Sequence, residues 1–196
     1  MGLRASHTCA LALEVELPDL PLTSNLGTPS IEVFGCADAP VEGEPEPPAW
    51  WTPDLCAPYA RARSDALGDF TSVPLPNIGS IADNEAFDDA YAEVAAYYYA
   101  EQFFAGMVER GLTTTRCERF TIQANRYRLD EEGARVPLGG ASYIDECDPD
   151  KSANLHLGQG RYADYAYDAD IIFHELGHSV IQHLAPDGLT QRKFMS

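Results

Sequence analysis

The chain is poor in basic residues and in long apolar runs. It carries 13 lysines and arginines against 31 aspartates and glutamates in 196 residues, a formal net charge of −18. Nucleic-acid phosphates and anionic membrane surfaces would repel such a protein. No apolar run reaches the roughly 20 residues that a transmembrane helix needs. We therefore expect neither nucleic acid nor a membrane among its partners.

The N-terminus lacks the apolar core of a signal peptide. Met1 to Cys9 contains one arginine among mixed residues, unlike the continuous apolar segment that directs export. Either export is directed by chain that is absent here, or this segment is not a natural start.

The five cysteines form no C-x-x-C pair, which argues against a thiolate zinc site. Their wide spacing favours a few disulfides formed in an oxidising compartment, and hence a secreted or extracellular protein. We expect one bond between Cys36 and Cys56, across a proline-rich loop, and one between Cys117 and Cys147. Cys9 is then left over. The alternative is five free thiols in a cytosolic protein.

The most informative segment is Ile171 to His178 (IIFHELGH). Residues four apart lie one turn apart on the same face of an α-helix, so the imidazoles of His174 and His178 can bind one metal ion. Glu175 follows the first histidine and can hold a water at that ion. This is the H-E-x-x-H arrangement of a metal hydrolase, in which the carboxylate is the general base.

The residues around this motif favour a helix in a domain core. Apolar residues stand on both sides of it: Ile171, Ile172, Phe173, Val180, Ile181 and Leu184. Asp168 or Asp170 can cap its start, and Pro186 with Gly188 ends it in a turn. Gly177 costs about 1 kcal/mol relative to alanine inside a helix, which predicts that another group approaches closely there. The alternative is a buried helix whose two histidines are satisfied without metal.

Residues 1–82 are predicted to form a β-rich, irregular N-terminal extension. Alternation of apolar and polar residues predicts short strands over Leu11 to Leu17 and Ser30 to Phe34. Val41 to Pro53 (VEGEPEPPAWWTP) is an acidic, proline-rich loop that sustains neither a helix nor a central strand. Within it, Trp50 and Trp51 either pack onto a neighbouring surface or form an aromatic pair that binds a ligand.

Residues 83–196 combine a long helix with short strands. Helical spacing predicts a helix from about Asn84 to Arg110, closed by Gly111. Its apolar residues are predicted to lie in the core: Phe87, Tyr91, Val94, Tyr98, Phe104 and Val108. Strands are predicted at Phe120 to Ala124, Ala141 to Ile144 and Asn154 to Leu157.

Two further segments resemble binding loops. Asp145 to Lys151 (DECDPDK) could bind calcium through oxygen ligands, or be a plain solvated loop. Gly158 to Ala163 (GQGRYA) is similar to the G-x-G-x-x-A turn of dinucleotide-binding proteins, but that turn requires a helix that starts at the glycines. Tyr162 to Asp168 intervene here before the helix that carries the histidines, so we reject a dinucleotide site.

From about Phe87 to Leu189 the chain resembles the thermolysin-like and fungalysin-like secreted zinc metallopeptidases, the gluzincins. The resemblance rests on the tyrosine-rich helix, the segments ASYI and LHLGQG, and the final DADIIFHELGH, which occur in family order. It implies an α+β fold, the zincin-like N-terminal half of a catalytic domain, with zinc as cofactor. It also implies that His174 and His178 are zinc ligands and that Glu175 is the general base of a metalloendopeptidase acting on proteins or peptides.

The resemblance implies roles for residues around the metal as well. Asp170 would lie near the site, one turn before His174, where support of a ligand and helix capping explain it equally well. The edge strand Ala141 to Tyr143 would pair with the bound peptide. Relatives often show Asn-Ala where this chain has Gly140-Ala141.

The family's third zinc ligand is a glutamate in a Glu-x-x-x-Asp setting beyond the second histidine, but no glutamate follows Glu175 here. We therefore expect the sequence to be truncated after the zinc-binding helix, and the chain alone to be inactive. His183 lies on roughly the opposite helix face, and Asp187 could fold back as an aspartate ligand. His156 and His7 are more typical of ordinary surface or strand histidines. The competing hypothesis is a non-catalytic zincin-like domain that binds zinc weakly or has a structural role.

Overall fold

The fold is known from a computed structural model. It describes residues 17, 20, 26–37, 57–66, 68–74, 89–112, 117, 119–145, 147, 153–159 and 164–185. The elements within these ranges are, in chain order, β1 (Ile31–Ala37), β2 (Ala57–Tyr59), α1 (Ala90–Glu109), β3 (Phe120–Leu129), β4 (Arg135–Pro137), β5 (Ala141–Tyr143), β6 (Leu155–Gly158), a 3₁₀ turn (Tyr165–Tyr167) and α2 (Ala169–Leu184).

Four strands form a mixed sheet in the order β1-β3-β6-β5. Strand β3 is parallel to both β1 and β6, whereas β5 is antiparallel to β6 and lies at the edge. The short strands β2 and β4 pair antiparallel with β1 and β3 respectively. A mixed sheet with two helices agrees with the predicted α+β class.

The core lies between one face of this sheet and the two helices. Val33, Ile122, Leu155 and Tyr143 stand side by side in a row that crosses all four strands. The first three are almost fully buried, while Tyr143 at the edge is partly buried and packs against the same cluster. Successive strand residues point to opposite faces, so this row defines the face that the helices cover.

Helix α1 was predicted correctly, but it buries a different set of residues. Its fully buried positions include Ala92, Ala96 and Ala100, which repeat every four residues and so form one stripe. Their small side chains let the helix backbone approach the sheet. Val108, predicted to lie in the core, is 66% exposed, so that prediction was wrong. Gly111 closes the helix with a φ of +72°, as predicted.

The other predicted elements have mixed outcomes. The strands predicted at Ser30, Phe120, Ala141 and Asn154 are confirmed as β1, β3, β5 and β6. Strands β2 and β4 and the 3₁₀ turn were not predicted. Helix α2 begins at Ala169, well beyond Gly158, and residues 160–163 of the rejected dinucleotide turn lie outside the described residues.

Several predictions fall outside the described residues. These include most of the strand Leu11 to Leu17, the loop Val41 to Pro53 with both tryptophans, residues 84–88 of the helix, and the boundary between residues 82 and 83.

Strand β1, from the predicted N-terminal extension, pairs with β3, so both parts of the chain contribute to one sheet. No helix in the described ranges is long and apolar enough to cross a membrane.

Cys117 and Cys147 form the predicted disulfide, with their Cα atoms 4.9 Å apart. It joins the chain just before β3 to the loop that follows β5. Cys36 is also disulfide-bonded, but Cys56, its predicted partner, lies outside the described residues. The bond between Cys117 and Cys147 closes a loop with a sequence separation of 30 residues.

Replacing both Cys117 and Cys147 with serine should lower the free energy of unfolding by about 3–4 kcal/mol, because the unfolded chain loses this loop constraint. Urea unfolding of the variant and of the parent protein, both without reductant, would measure the difference. Equal unfolding midpoints would show that the bond does not constrain the unfolded chain.

A buried carboxylate ties α1 to the chain that follows β2. Glu93 is fully buried, and its carboxylate accepts hydrogen bonds from the main-chain N–H groups of Arg61 and Ala62. A Cβ at Gly35 would collide with this carboxylate, so the glycine leaves room for it. Burial raises the pKa of Glu93 to about 7, although the two N–H donors and the nearby arginines act in the opposite direction.

The raised pKa predicts a pH-dependent stability. A carboxyl group whose pKa is higher in the folded state stabilises the fold below its ordinary pKa of 4.5, and this contribution is lost as the pH rises through about 7. Glu93→Gln removes the ionisation but keeps an acceptor oxygen. Its stability relative to wild type should therefore rise by about 2–3 kcal/mol between pH 5 and pH 8.

Urea unfolding at both pH values would test this, with Glu109→Gln at the exposed end of α1 as the matched control. The control should follow wild type at both pH values. Parallel behaviour of Glu93→Gln and wild type would contradict the prediction.

Candidate metal centre

Asp164 and Asp168 accept main-chain hydrogen bonds in the segment between β6 and α2. Asp164 pairs with Gln159 in an isolated bridge, and its carboxylate accepts the N–H of Ala166 at 2.8 Å at the start of the 3₁₀ turn. Burial raises the pKa of Asp164 to about 7. Asp168 then caps α2, accepting the N–H of Asp170 at 2.9 Å. Of the two predicted caps, Asp168 is therefore the cap, and Asp170 lies exposed in the first turn.

Helix α2 buries one stripe and exposes the opposite face. Ile172 and Leu176 are fully buried and Val180 nearly so, at intervals of four residues. Residues two positions further along lie about 200° around the axis, so His174 and His178 fall on the open side. His174 is exposed, while Glu175 and His178 are half-buried.

The two histidines are spaced as ligands of one ion. Their Nε2 atoms lie 3.3 Å apart, and the ring planes are nearly perpendicular, at 89°. Two nitrogens bound to a tetrahedral zinc at about 2.0–2.1 Å would be separated by about 3.3–3.4 Å. The same separation permits an N–H···N hydrogen bond between the rings when no ion is bound. The separation therefore matches that of two ligands on one tetrahedral metal ion.

Glu175 completes a three-residue group. One oxygen of its carboxylate and one nitrogen of each histidine all lie within 4.8 Å of one another. Glu175 Oε2 also accepts a hydrogen bond of 2.9 Å from the main-chain N–H of Tyr143, on the edge strand β5. Sequence patterns give no sign of this contact, since the two residues are 32 positions apart.

The other candidate ligands are not part of this group. His156 is buried on β6 next to the Arg126 guanidinium, and burial followed by that charge lowers its pKa to about 3. His183 is half-buried on α2. Asp187 and His7 lie outside the described residues. Within the described ranges, no other His, Cys, Asp or Glu joins His174, Glu175 and His178.

The sequence analysis also raised a close approach at Gly177 and a calcium loop at Asp145 to Lys151. Apart from its chain neighbours and the backbone of its own helix, no described atom lies within 4 Å of the position that a Cβ would take on Gly177. The predicted close approach was therefore wrong for the described part of the chain. Of the predicted calcium loop Asp145 to Lys151, only Asp145 and Cys147 are described. Asp145 Oδ1 accepts a hydrogen bond from the Tyr143 hydroxyl.

Comparison with known proteins does not extend this description. No protein-family model, curated protein or solved structure matches the chain. The gluzincin resemblance therefore rests on the motifs and their order.

Zinc binding should depend on both histidines. His174→Ala or His178→Ala removes one of two nitrogen ligands, so we expect each variant to bind zinc at least tenfold more weakly than wild type. Competition with a chromophoric chelator would measure the affinities. His183→Ala is the matched control, because this residue shares the helix but not the group, and its zinc affinity should equal that of wild type. Unchanged affinity in both single variants would rule out this group as the zinc site.

Proposed function

We propose that the protein is a zinc-dependent metalloendopeptidase, with His174 and His178 as zinc ligands and Glu175 as the general base. The observation that carries the proposal is the 3.3 Å separation of the two imidazole nitrogens, together with a carboxylate next to them. Nitrogen donors suit zinc better than calcium or magnesium. The proposal also draws on the gluzincin resemblance, which covers a little over half of the chain.

The chemistry follows from the donor set. When bound, zinc would polarise a peptide carbonyl and acidify a coordinated water. Glu175 takes the proton from the attacking water and returns it to the departing amine. His174 and His178 act as neutral ligands, and the rigid helix holds them in place.

The edge strand offers a surface for an extended peptide. Gly140 O accepts the N–H of Gly158, and Ile144 N–H donates to Asn154 O, so the even-numbered residues of this segment pair with β6. In an antiparallel pair the intervening residues point the other way. The main-chain groups of Ala141 therefore point away from β6, as does the N–H of Tyr143, which is already bonded to Glu175 Oε2. An extended peptide can pair with such an edge, which supports proteins or peptides as substrates.

The disulfide supports a secreted or extracellular location for this enzyme. Disulfides such as Cys117–Cys147 persist in oxidising compartments and are rare in the cytosol of most organisms.

A non-catalytic zinc-binding domain is the second candidate, and one observation favours it. Within the described ranges the group contains only two histidines and the proposed general base, and His174 is exposed. A catalytic zinc ordinarily has three protein ligands and an open position. Two imidazoles alone would hold zinc weakly.

Zinc titration combined with a peptidase assay separates the two candidates. Both would be done on the 196-residue chain and on the complete product of its gene. Tight zinc binding with turnover in the natural product supports the peptidase. Weak zinc binding without turnover in both proteins supports the non-catalytic domain.

Glu175→Gln should abolish hydrolysis while zinc stays bound. Loss of a general base lowers turnover by about 10²–10⁴-fold, and neither imidazole is altered. Peptide hydrolysis and zinc affinity would be measured on the same samples of the natural gene product. Glu131→Gln, in the exposed turn between β3 and β4, is the control and should match wild type. Retained hydrolysis in Glu175→Gln would refute the role of the carboxylate.

A further inference from the structure

A main-chain N–H of the edge strand β5 is hydrogen-bonded to the carboxylate of Glu175, the proposed general base. The N–H of Tyr143 donates to Glu175 Oε2 at 2.9 Å. This N–H lies on the side of β5 that faces away from β6, because the main-chain groups of Ser142 and Ile144 are the ones that hydrogen-bond across to the neighbouring strand. The hydrogen bond therefore spans the gap between the sheet edge and α2.

Both partners of this bond are held by the fold. The Tyr143 ring stacks on Phe120 with an interplanar angle of 4°, and β5 pairs with β6 over its whole length. On the other side, Leu176 follows Glu175 directly and is fully buried. Neither the donor nor the backbone of the acceptor can shift without loss of core packing.

We propose that the main-chain amide of Tyr143 positions the Glu175 carboxylate for proton transfer. The proposal rests on the proposed peptidase function. A carboxylate has two oxygens, and fixing Oε2 at the sheet edge restricts rotation of the whole group. Oε1 is then left for the proton that moves between the attacking water and the departing amine. Because general-base catalysis requires hydrogen-bond reach and alignment, an oriented carboxylate reacts more often than a freely rotating one.

The first test does not depend on hydrolysis. Glu175→Ala removes the acceptor from a half-exposed position on α2, so the fold should persist. Amide hydrogen exchange of Tyr143, measured by NMR on the zinc-loaded protein, should accelerate at least tenfold. The amide of Ser142, on the β6 side of the same strand, should keep its wild-type rate. An unchanged exchange rate at Tyr143 would overturn the proposal.

The second test separates positioning from structural support. Tyr143→Pro removes the N–H, and proline is tolerated on edge strands where the N–H faces away from the sheet. Tyr143→Ala loses the same ring but keeps the N–H, so it is the matched control. Relative to Tyr143→Ala, Tyr143→Pro should lower kcat about tenfold, with KM and zinc affinity unchanged. Equal kcat in the two variants would overturn the proposal.

The two tests also distinguish this proposal from the proposed function. If the wild-type natural gene product binds zinc without hydrolysing peptides, the peptidase assignment fails. Faster exchange at Tyr143 in Glu175→Ala would still establish the link between β5 and Glu175 in that case. If Tyr143→Pro does not fold, the proposal is judged by amide exchange of Tyr143 in Glu175→Ala: faster exchange supports it and unchanged exchange overturns it.

Discussion

One apolar stripe on α2 decides where the polar residues of this helix lie. Ile172, Leu176 and Val180 pack against the same face of the sheet that α1 covers. Burying each such side chain stabilises the fold by about 1.5–3 kcal/mol. These three residues therefore determine which face of α2 is turned towards the sheet. Helical geometry then leaves His174 and His178 on the open side. The position of the group His174, Glu175 and His178 is thus a consequence of the packing, and its imidazoles are not part of the core.

Buried polar side chains connect β3 to the start of α1 and to the segment before α2. Asn125 sits in an irregularity of β3, with a φ of +56°, a conformation that asparagine tolerates better than most residues. Its side chain donates to the main-chain oxygen of Asp89 at 2.7 Å, at the start of α1, and accepts from Gln159. Through Gln159 and Asp164 the same network reaches the turn before α2. A buried polar group costs free energy unless it is hydrogen-bonded, so these links favour one arrangement of helix and sheet.

Sequence patterns predicted the elements that have a strong period of their own. Helix α2 combines apolar spacing with a cap, and the H-E-x-x-H residues follow from helical geometry alone. Strands β2 and β4 have three residues each, as does β5, which was predicted. A strand this short gives little alternation of its own, so its sequence pattern is an unreliable guide. For α1 the predicted residues Val94 and Phe104 are partly buried against the core, but the buried alanine stripe was missed because alanine gives little periodic signal.

The contact between Glu175 and Tyr143 shows a different limit of sequence reasoning. Both residues lie in elements that were predicted correctly. Their meeting depends on the position of β5 at the sheet edge and on the height of α2 above it. Those quantities arise from the pairing of four strands and the packing of two helices, and no local pattern contains them. Long-range contacts of this kind are therefore the part of a site that only a structure provides.

The spacing of the imidazoles also bears on which ion and which chemistry the site favours. The charge of −18 attracts cations in general, but it does not discriminate between them. Two nitrogens 3.3 Å apart match a tetrahedral transition metal and disfavour calcium, which takes six to eight oxygen ligands. Because folding already holds both rings on one rigid helix, binding costs little further conformational entropy at these two positions. The difference between a catalytic centre and a weak zinc site then reduces to one further protein ligand, since three ligands leave a position open for water.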